Sequence, residues 1–366
     1  MAARLTDHFA RQAAARPEQA ATVAPLPDAD AVEAMIDAAF WASLQREEGY
    51  SPEISLAFLP PERAQHPLTL GAALPLGPRT LARLAPAVER PGIHLGVWRE
   101  RGELLVWGTT RAMPSYCFVV EVIAPGLMVV KHRTREDSAK FQNVAVFEGE
   151  RIKMLTPGSV DVSEHPAVLT SLITPEPPRS ADDPVDLLLR LAVSMRAHKR
   201  GGTLLVVPTG RQAWRESIVR PIAYALEPPF MELADCVRHA ETGEPPGSPG
   251  ALGRAVAAAA GLTAVDGATL IGDGYDLLAF GVKIGRPEGR PRVERVRVSE
   301  PIEGDISSTV PPSELGGTRH VSAAQFAQDQ QDAVALVASQ DGRFTAFAWS
   351  ARDDIVHAHR VEALLL

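Results

Sequence analysis

The triplet Asp266-Gly267-Ala268 puts an acidic residue directly before the apolar run of the segment AVDGATLIGDGYD. A carboxylate at the start of a strand can supply an oxygen ligand to Mg²⁺ or Mn²⁺. Gly267 and Ala268 have almost no side chain, so a ligand could lie against their backbone. The alternative is an ordinary Asp-Gly turn that starts a strand and has no chemical role. The choice depends on whether a second polar segment shares the site.

Such a segment follows about fifty residues later, in LGGTRHVSAA. Gly316 and Gly317 precede a predicted helix, whose N-terminal amides can face an anion. Thr318 can hydrogen-bond to a phosphate oxygen, and Arg319 offers the charged fork that suits phosphate. His320 could donate a further hydrogen bond. The alternative is a helix-capping loop with an exposed arginine.

Three other groups of polar residues could also do chemistry. His357 and His359 are two residues apart on a predicted strand, a spacing that metal ligands can have. Neither a cysteine nor a third histidine is near them in sequence, so we expect a solvent-facing strand edge. The segment SVDVSEHP brings Ser, Asp and His together, as many loops do. Glu47 and Glu48 could form an interaction edge, although we favour a solvated helix end. The GxSxG, P-loop and GxGxxG motifs are absent from the sequence.

Bulk properties restrict the class of protein. The chain has 366 residues, above the size at which one core usually splits, so two domains are expected. Its net charge of −8 argues against non-specific binding to nucleic acid. The sequence contains no apolar run of membrane-spanning length and no apolar signal segment, so we expect no membrane partner. The two cysteines are far apart and fit a reducing cytoplasm.

The first half is predicted to be a β-rich domain fronted by a helix. Residues 28–48 carry apolar side chains at three- and four-residue steps, with Asp28 or Asp30 as the cap. Short apolar or alternating runs separated by turns then occupy residues 54–156, which predicts a mostly antiparallel sheet. We assign this domain to residues 1–173, and its role is not evident from its residues.

The second half is predicted to be a mixed α/β domain. Three prolines in TPEPPRSADDP mark a linker over residues 174–184, and the domain covers 185–366. Helices and strands then alternate, with a strand pair after GDGYD and a hairpin around Gln340-Asp341-Gly342. The predicted class of the whole chain is therefore α/β, in the α+β sense, with a C-terminal mixed sheet flanked by helices.

The order of motifs in this half resembles the diadenylate cyclase domain, also called the DisA N-terminal domain. The similar segments are GGTLLVVP, VDGATLIG, LGGTRHVSAA and a strand ending in VASQDG, within roughly residues 180–350, about half the chain. The resemblance implies a domain that joins two ATP molecules into cyclic di-AMP across a homodimer, with Mg²⁺ or Mn²⁺ on Asp266. The nucleotide-binding residues that it implies are Asp266, Gly267, Ala268, Gly317, Thr318, Arg319, His320 and Ser339.

Two departures from that family pattern weaken the case for turnover. Val321 stands where the family has a second arginine, and Ser339-Gln340-Asp341 replaces a Ser-Glu-Glu turn. Loss of one cation and one acid should reduce phosphoryl transfer while leaving some binding. The segment 285–314 is rich in arginine, which predicts either a solvated β-ribbon or a source of replacement cations.

The chain therefore resembles the degenerate, sensor-type (DACNV-like) relatives of this family that carry an added N-terminal domain. The first hypothesis is a cytoplasmic nucleotide sensor that binds ATP or a cyclic dinucleotide and signals to a protein partner through its N-terminal domain. The second is an active diadenylate cyclase, a nucleotidyltransferase in which Asp266 would be catalytic. The third is an interaction module that has kept only the fold.

Overall fold

The computed structural model describes residues 1–14, 24–46, 49–90, 92–133, 141–156, 159–160, 165–173, 186–242, 248 and 250–366. These residues form two compact units, residues 1–155 with Leu366, and residues 156–365. The sequence predicts a boundary at 174–184, and this segment lies outside the described residues, as do Glu47, Glu48 and most of SVDVSEHP. Residues 165–173 belong to the second unit because Leu169, Leu172 and Ile173 pack in the same apolar core as Leu188 and Leu191.

The first unit is built around an eight-stranded sheet with the strand order β2-β4-β3-β1-β5-β6-β7-β8. Strands β1 and β3 are parallel, and the other neighbouring strands are antiparallel. The helices are α1 (Ala2–Ala14), α2 (Ala29–Ser43) and α3 (Pro78–Leu84). The strands are β1 (Ile54–Phe58), β2 (Leu68–Pro75), β3 (His94–Glu100), β4 (Glu103–Thr110), β5 (Phe118–Ala124), β6 (Leu127–Arg133), β7 (Phe141–Glu148) and β8 (Arg151–Met154).

Helix α2 covers one face of this sheet. Asp28 caps it, because its Oδ1 accepts a hydrogen bond from the Ala31 amide at 2.8 Å, as its position in the sequence predicts. Val32, Met35 and Ala39 are fully buried on the face that packs against the sheet. Strand β2 is not apparent from the sequence because most of its side chains are exposed on both faces, so its apolar pattern is not that of a buried strand.

The second unit contains a nine-stranded mixed sheet with the order β10-β12-β11-β9-β15-β16-β17-β13-β14. The pairs β9–β11 and β13–β17 are parallel, and the other neighbours are antiparallel. The helices are α4 (Ala167–Ile173), α5 (Leu187–Ala197), α6 (Glu232–Thr242), α7 (Ala251–Leu262) and α8 (Thr318–Asp329). The strands are β9 (Gly202–Val207), β10 (Tyr224–Phe230), β11 (Ala268–Gly272), β12 (Leu277–Val282), β13 (Val296–Ser299), β14 (Ser308–Val310), β15 (Val334–Ala338), β16 (Phe344–Ser350) and β17 (Ile355–Arg360).

Helices cover both faces of this second sheet. Alternate side chains of β9 show which helices pack on each face. Leu204 and Val206 pack in the core that contains α4, α5 and α7. Leu205 and Val207 pack in the core that contains α8. The mixed α and β content of both units confirms the α+β class predicted from the sequence.

The arginine-rich segment 285–314 is only partly the solvated ribbon that the sequence predicts. Strands β13 and β14 do pair as an antiparallel ribbon. Val293 and Val296 are buried, however, in the core beneath α8. The apolar residues of this segment therefore anchor it to the unit, and Arg297 forms an ion pair with Asp353.

We expect the first unit to lose stability in mild acid because of His94. His94 is buried on β3, and its Nδ1 lies 2.7 Å from the Ser55 hydroxyl. Burial, together with Lys131 and Arg133, lowers the pKa of His94 to about 3. The unfolded chain takes up a proton below the ordinary histidine pKa of about 6.5, so the free energy of unfolding falls from that pH downwards. The contribution of His94 should decrease by about 2 kcal/mol between pH 6.5 and pH 5.

Urea unfolding at the two pH values, in the wild type and in His94→Gln, measures this contribution. The variant should show the smaller loss of unfolding free energy on acidification. His66→Asn, at an exposed histidine, is the control and should keep the wild-type dependence. Equal pH dependence in His94→Gln and the wild type would show that His94 is not responsible.

Candidate functional site

The two motifs singled out in the sequence meet at one edge of the second sheet. Parallel strands β9 and β11 begin at this edge, and the antiparallel strand β15 ends there. In the sheet register Ala268 is opposite Thr203, and Ala338 is opposite Gly202. The segments that contain Asp266, Gly201 and Gln340 are therefore neighbours.

The side chain of Arg319 reaches the same edge from the start of α8. A Cβ atom built on Gly201 would lie 3.0 Å from Arg319 Nη1, 3.2 Å from the Ala338 carbonyl oxygen and 3.4 Å from Gln340 Cγ. A side chain at this position would crowd these three groups, and the φ of +69° at Gly201 also favours glycine. We call the group Gly201, Asp266, Lys283, Arg319 and Gln340 the Asp266 site.

Asp266 is held at this site by an ion pair with Lys283. Lys283 Nζ lies 2.5 Å from Asp266 Oδ2, and the Asp266 side chain is 89% exposed. The hydrogen bond and charge of Lys283, with a smaller contribution from Arg319, lower the pKa of Asp266. The carboxylate is therefore ionised at neutral pH. It can coordinate a divalent cation if Lys283 moves away from it, for example to a ligand phosphate.

Gly267 is required by the path of the backbone. Its φ is +111°, and a Cβ atom there would lie 2.5 Å from the carbonyl carbon of Gly281 and 2.8 Å from the Val282 oxygen. The chain before β11 thus crosses the end of β12 at close range. Ala268 is the first residue of β11 and is buried. The Gly267-Ala268 pair is therefore explained by packing as well as by any approach of a ligand.

The GGTRH segment starts a twelve-residue helix. Gly317 is the N-cap and makes no side-chain cap, and α8 runs from Thr318 to Asp329. Gly317 and Thr318 are exposed, while Arg319 is partly buried where it approaches Gly201. The positive end of the helix dipole and the Arg319 guanidinium thus lie on the side of the molecule that carries Asp266.

His320 lies inside the unit instead of lining an open surface. It is 3% exposed, and a Cβ atom on Gly316 would lie 2.3 Å from its Nδ1. Its ring is edge-on to Phe347, with 6.2 Å between the centroids. Burial lowers the pKa of His320 despite the opposing charge of Asp341, so the imidazole is neutral. A ligand contact from His320 stays a prediction.

The Ser339-Gln340-Asp341 turn closes the other side of the Asp266 site. Gln340 Nε2 donates a hydrogen bond to the Arg200 carbonyl oxygen at 3.3 Å. The carboxylate of Asp341 pairs with Arg343, with Oδ2 at 3.3 Å from Nε. The position that bears an acid in the similar family thus holds an amide here, and the adjacent acid is paired with an arginine.

Two residues near the site were not anticipated from the sequence. Lys283 directly follows Val282, whose partner in the β11–β12 pair is Ala268, so the hairpin register could have placed it beside Asp266. Tyr224 stacks on Phe280 with 4.8 Å between the ring centroids and an interplanar angle of 3°. Tyr224 also contacts Gly281, where a Cβ atom would lie 2.6 Å from its ring. It comes from β10, an exposed strand with two prolines that gives little sequence signal.

Comparison with known proteins gives one family match, and it lies in the first unit. Residues 21–111 match the model of the family described as "Probable sensor domain DACNV". This range is about a quarter of the chain and includes α2, α3 and β1–β4. The match indicates a sensor or regulatory role. It does not extend to residues 180–350, so the relation of those residues to diadenylate cyclases stays a prediction.

The other comparisons add little. No curated protein matches the chain. Among solved structures, one similar chain is described as the hypothetical membrane spanning protein from Bacillus cereus, at 15% identity and a TM-score of 0.25. The alignment covers 48% of this chain and 62% of that one, so the present chain spans less than two thirds of its length. In the part of the chain that the structure describes, no helix is both long enough and apolar enough to cross a bilayer.

The packing at Gly267 predicts a large effect of adding one methyl group. Gly267→Ala should lower the free energy of unfolding by about 2 kcal/mol or more, because it adds backbone strain and a clash with Gly281. The matched control is Gly253→Ala in α7, where a Cβ atom meets nothing within 4 Å. In an exposed helix this change should instead stabilise, by up to about 1 kcal/mol. Thermal or urea unfolding compares the two variants. Equal stability of both would show that the close approach of Gly267 to Gly281 does not exclude a side chain.

Proposed function

We propose that this protein is a nucleotide-responsive regulator, in which the Asp266 site of the second unit binds ATP or a cyclic dinucleotide. The observation that carries the proposal is the convergence of Asp266, Lys283 and Arg319 at one sheet edge, beside the start of α8. An ionised carboxylate between two cations at an exposed edge is suited to a ligand that brings both phosphate and a divalent cation.

The phosphate would be bound by Lys283 and Arg319. A lysine supplies a mobile point charge, and an arginine supplies two parallel donors. The second arginine of the similar family is absent at Val321, and Lys283, directly after β12, offers a cation in its place. Thr318 is exposed at the first turn of α8, where a hydroxyl and the helix dipole add to the attraction for an anion.

The divalent cation, Mg²⁺ or Mn²⁺, would be bound by Asp266 together with the phosphates. Mg²⁺ commonly keeps several waters and uses only one or two protein carboxylates when substrate phosphates are present. A single exposed acid is thus sufficient for binding. Tyr224, which is half exposed beside Gly281, offers an aromatic ring on which a base could stack.

The first unit would report the state of this site to another protein. Residues 21–111 match a probable sensor domain, which supports a regulatory role for that unit. The partner, the direction of signalling and the assembly into a homodimer are parts of the same proposal.

Isothermal titration calorimetry with ATP and cyclic di-AMP, each with and without Mn²⁺, tests the binding site. Arg319→Ala and Lys283→Met should each weaken binding about tenfold or more, which corresponds to about 1.4 kcal/mol. Asp266→Asn should remove the effect of Mn²⁺. The control is Arg211→Ala, since Arg211 follows the opposite end of β9 and pairs with Asp332. Absence of binding to both nucleotides, or equal loss in Arg211→Ala, would refute the site.

Diadenylate cyclase activity is the second candidate, and the exposed, ionised Asp266 favours it. In that reaction the 3′-hydroxyl of each ATP would attack the α-phosphate of the other, releasing two pyrophosphates. Incubation of the protein with ATP and Mn²⁺, read by mass spectrometry, distinguishes the two. Formation of cyclic di-AMP that is lost in Asp266→Asn would establish turnover, whereas binding without product supports the regulator. If none of the site variants changes ligand affinity, the third hypothesis is favoured, in which the domain is an interaction module that has kept only the fold.

A further inference from the structure

Three buried histidines meet on the face of the second sheet that α4 and α5 cover. They are His165, His357 and His359, with exposed fractions of 8%, 8% and 1%. One ring nitrogen of each lies within 4.8 Å of the corresponding nitrogens of the other two. The solvent-facing strand edge expected for His357 and His359 is therefore wrong. A third histidine, distant in sequence, completes a cluster with them.

The strand alternation of β17 explains how two of these rings come to the same side. Val356 and Ala358 point into the core beneath α8. His357 and His359 consequently point to the opposite face, where their strand neighbours Ala348 and Ala346 pack with α4 and α5. His165 lies two residues before α4. Its ring centroid is 5.1 Å from each of the other two.

The outer nitrogen of each ring has a partner that fixes the ring orientation. His165 Nδ1 donates to the Trp349 carbonyl oxygen at 3.1 Å, and His357 Nε2 donates to Asp353 Oδ2 at 2.9 Å. His359 Nδ1 lies 2.8 Å from the Ser299 hydroxyl. A carbonyl, a carboxylate and a hydroxyl are the outer partners that commonly orient metal-binding histidines.

The outer bonds of His165 and His357 leave the inner nitrogens of these two rings with lone pairs directed at each other. His165 Nε2 and His357 Nδ1 are 3.2 Å apart. When both outer nitrogens carry the proton, neither inner nitrogen of the neutral rings can donate to the other. Among the described residues, His359 Nε2 is buried without a hydrogen-bond partner. A cation placed between the three nitrogens would give His359 Nε2 a partner.

The 3.2 Å between His165 Nε2 and His357 Nδ1 fits two ligands of one tetrahedral transition-metal ion. Zn–N bonds of about 2.0–2.1 Å place two tetrahedral ligand nitrogens roughly 3.3 Å apart.

We propose that His165, His357 and His359 bind one divalent transition-metal ion, with Zn²⁺ as the expected ion. Imidazole ligands favour Zn²⁺ and its neighbours over Mg²⁺ or Mn²⁺. A site with three histidines leaves a fourth coordination position open. A water molecule would complete a tetrahedral site at that position.

The experiment uses the purified full chain after removal of metal with dipicolinate. Zn²⁺ is titrated in competition with a chromophoric chelator, and bound zinc is counted by mass spectrometry. We expect one zinc per chain with sub-micromolar affinity. His165→Ala and His359→Asn should each weaken it by more than about 100-fold, since loss of an outer partner alone costs roughly 10- to 100-fold. Asp353→Asn removes only an outer partner, so it should weaken zinc binding by roughly 10- to 100-fold.

His66→Asn, at an exposed histidine of the first unit, is the matched control and should bind zinc as the wild type does. Circular dichroism shows which variants fold. If the histidine variants do not fold, the visible spectrum of the Co²⁺-loaded wild type decides. Tetrahedral bands without sulfur charge transfer support the three-histidine site. Octahedral bands, substoichiometric zinc, or equal loss of affinity in His66→Asn would overturn it. The cluster shares no residue with the Asp266 site, so failure of either proposal leaves the other intact.

Discussion

The parallel pairing of β9 with β11 is the constraint on which the second unit depends. Five consecutive residue pairs, from Ala268–Thr203 to Gly272–Val207, fix the register, and both strands are buried along their length. A slip of one residue would turn every apolar side chain to the wrong face. The same register fixes which loops meet at the sheet edge, so core packing and the assembly of the Asp266 site are one requirement.

The polar groups at that edge form a site with more positive than negative charge. Asp266 forms an ion pair with Lys283, and the charge of Arg319 also lowers its pKa. Asp341 forms an ion pair with Arg343, and Gln340 carries no charge. Such a balance suits retention of an anion more than the clustering of several metal ions. At Gly267 the backbone beneath these exposed side chains packs closely against the end of β12, so the position of this segment depends on the sheet.

Beta-strand alternation places a second polar cluster in the same sheet without disturbing its core. On β17, alternate residues pack under α8, and the two between them form the histidine cluster with His165. Ser299 on β13 reaches His359 because these residues are paired in the parallel β13–β17 register. Strand β13 thus supplies the outer partner of His359, and its Arg297 forms an ion pair with Asp353.

Elements with strong local signals can be predicted from the sequence alone. The cap at Asp28, the helix that follows it, the β15–β16 hairpin and the buried strands β9 and β11 all follow from periodicity and turn residues. The sequence also indicated that Asp266 and Arg319 belong to one site. The folded structure was needed to show that Lys283 pairs with Asp266, that His320 is enclosed, and that His165 joins His357 and His359. These contacts depend on strand register and on side chains up to 194 positions apart in the chain, and no local pattern records them.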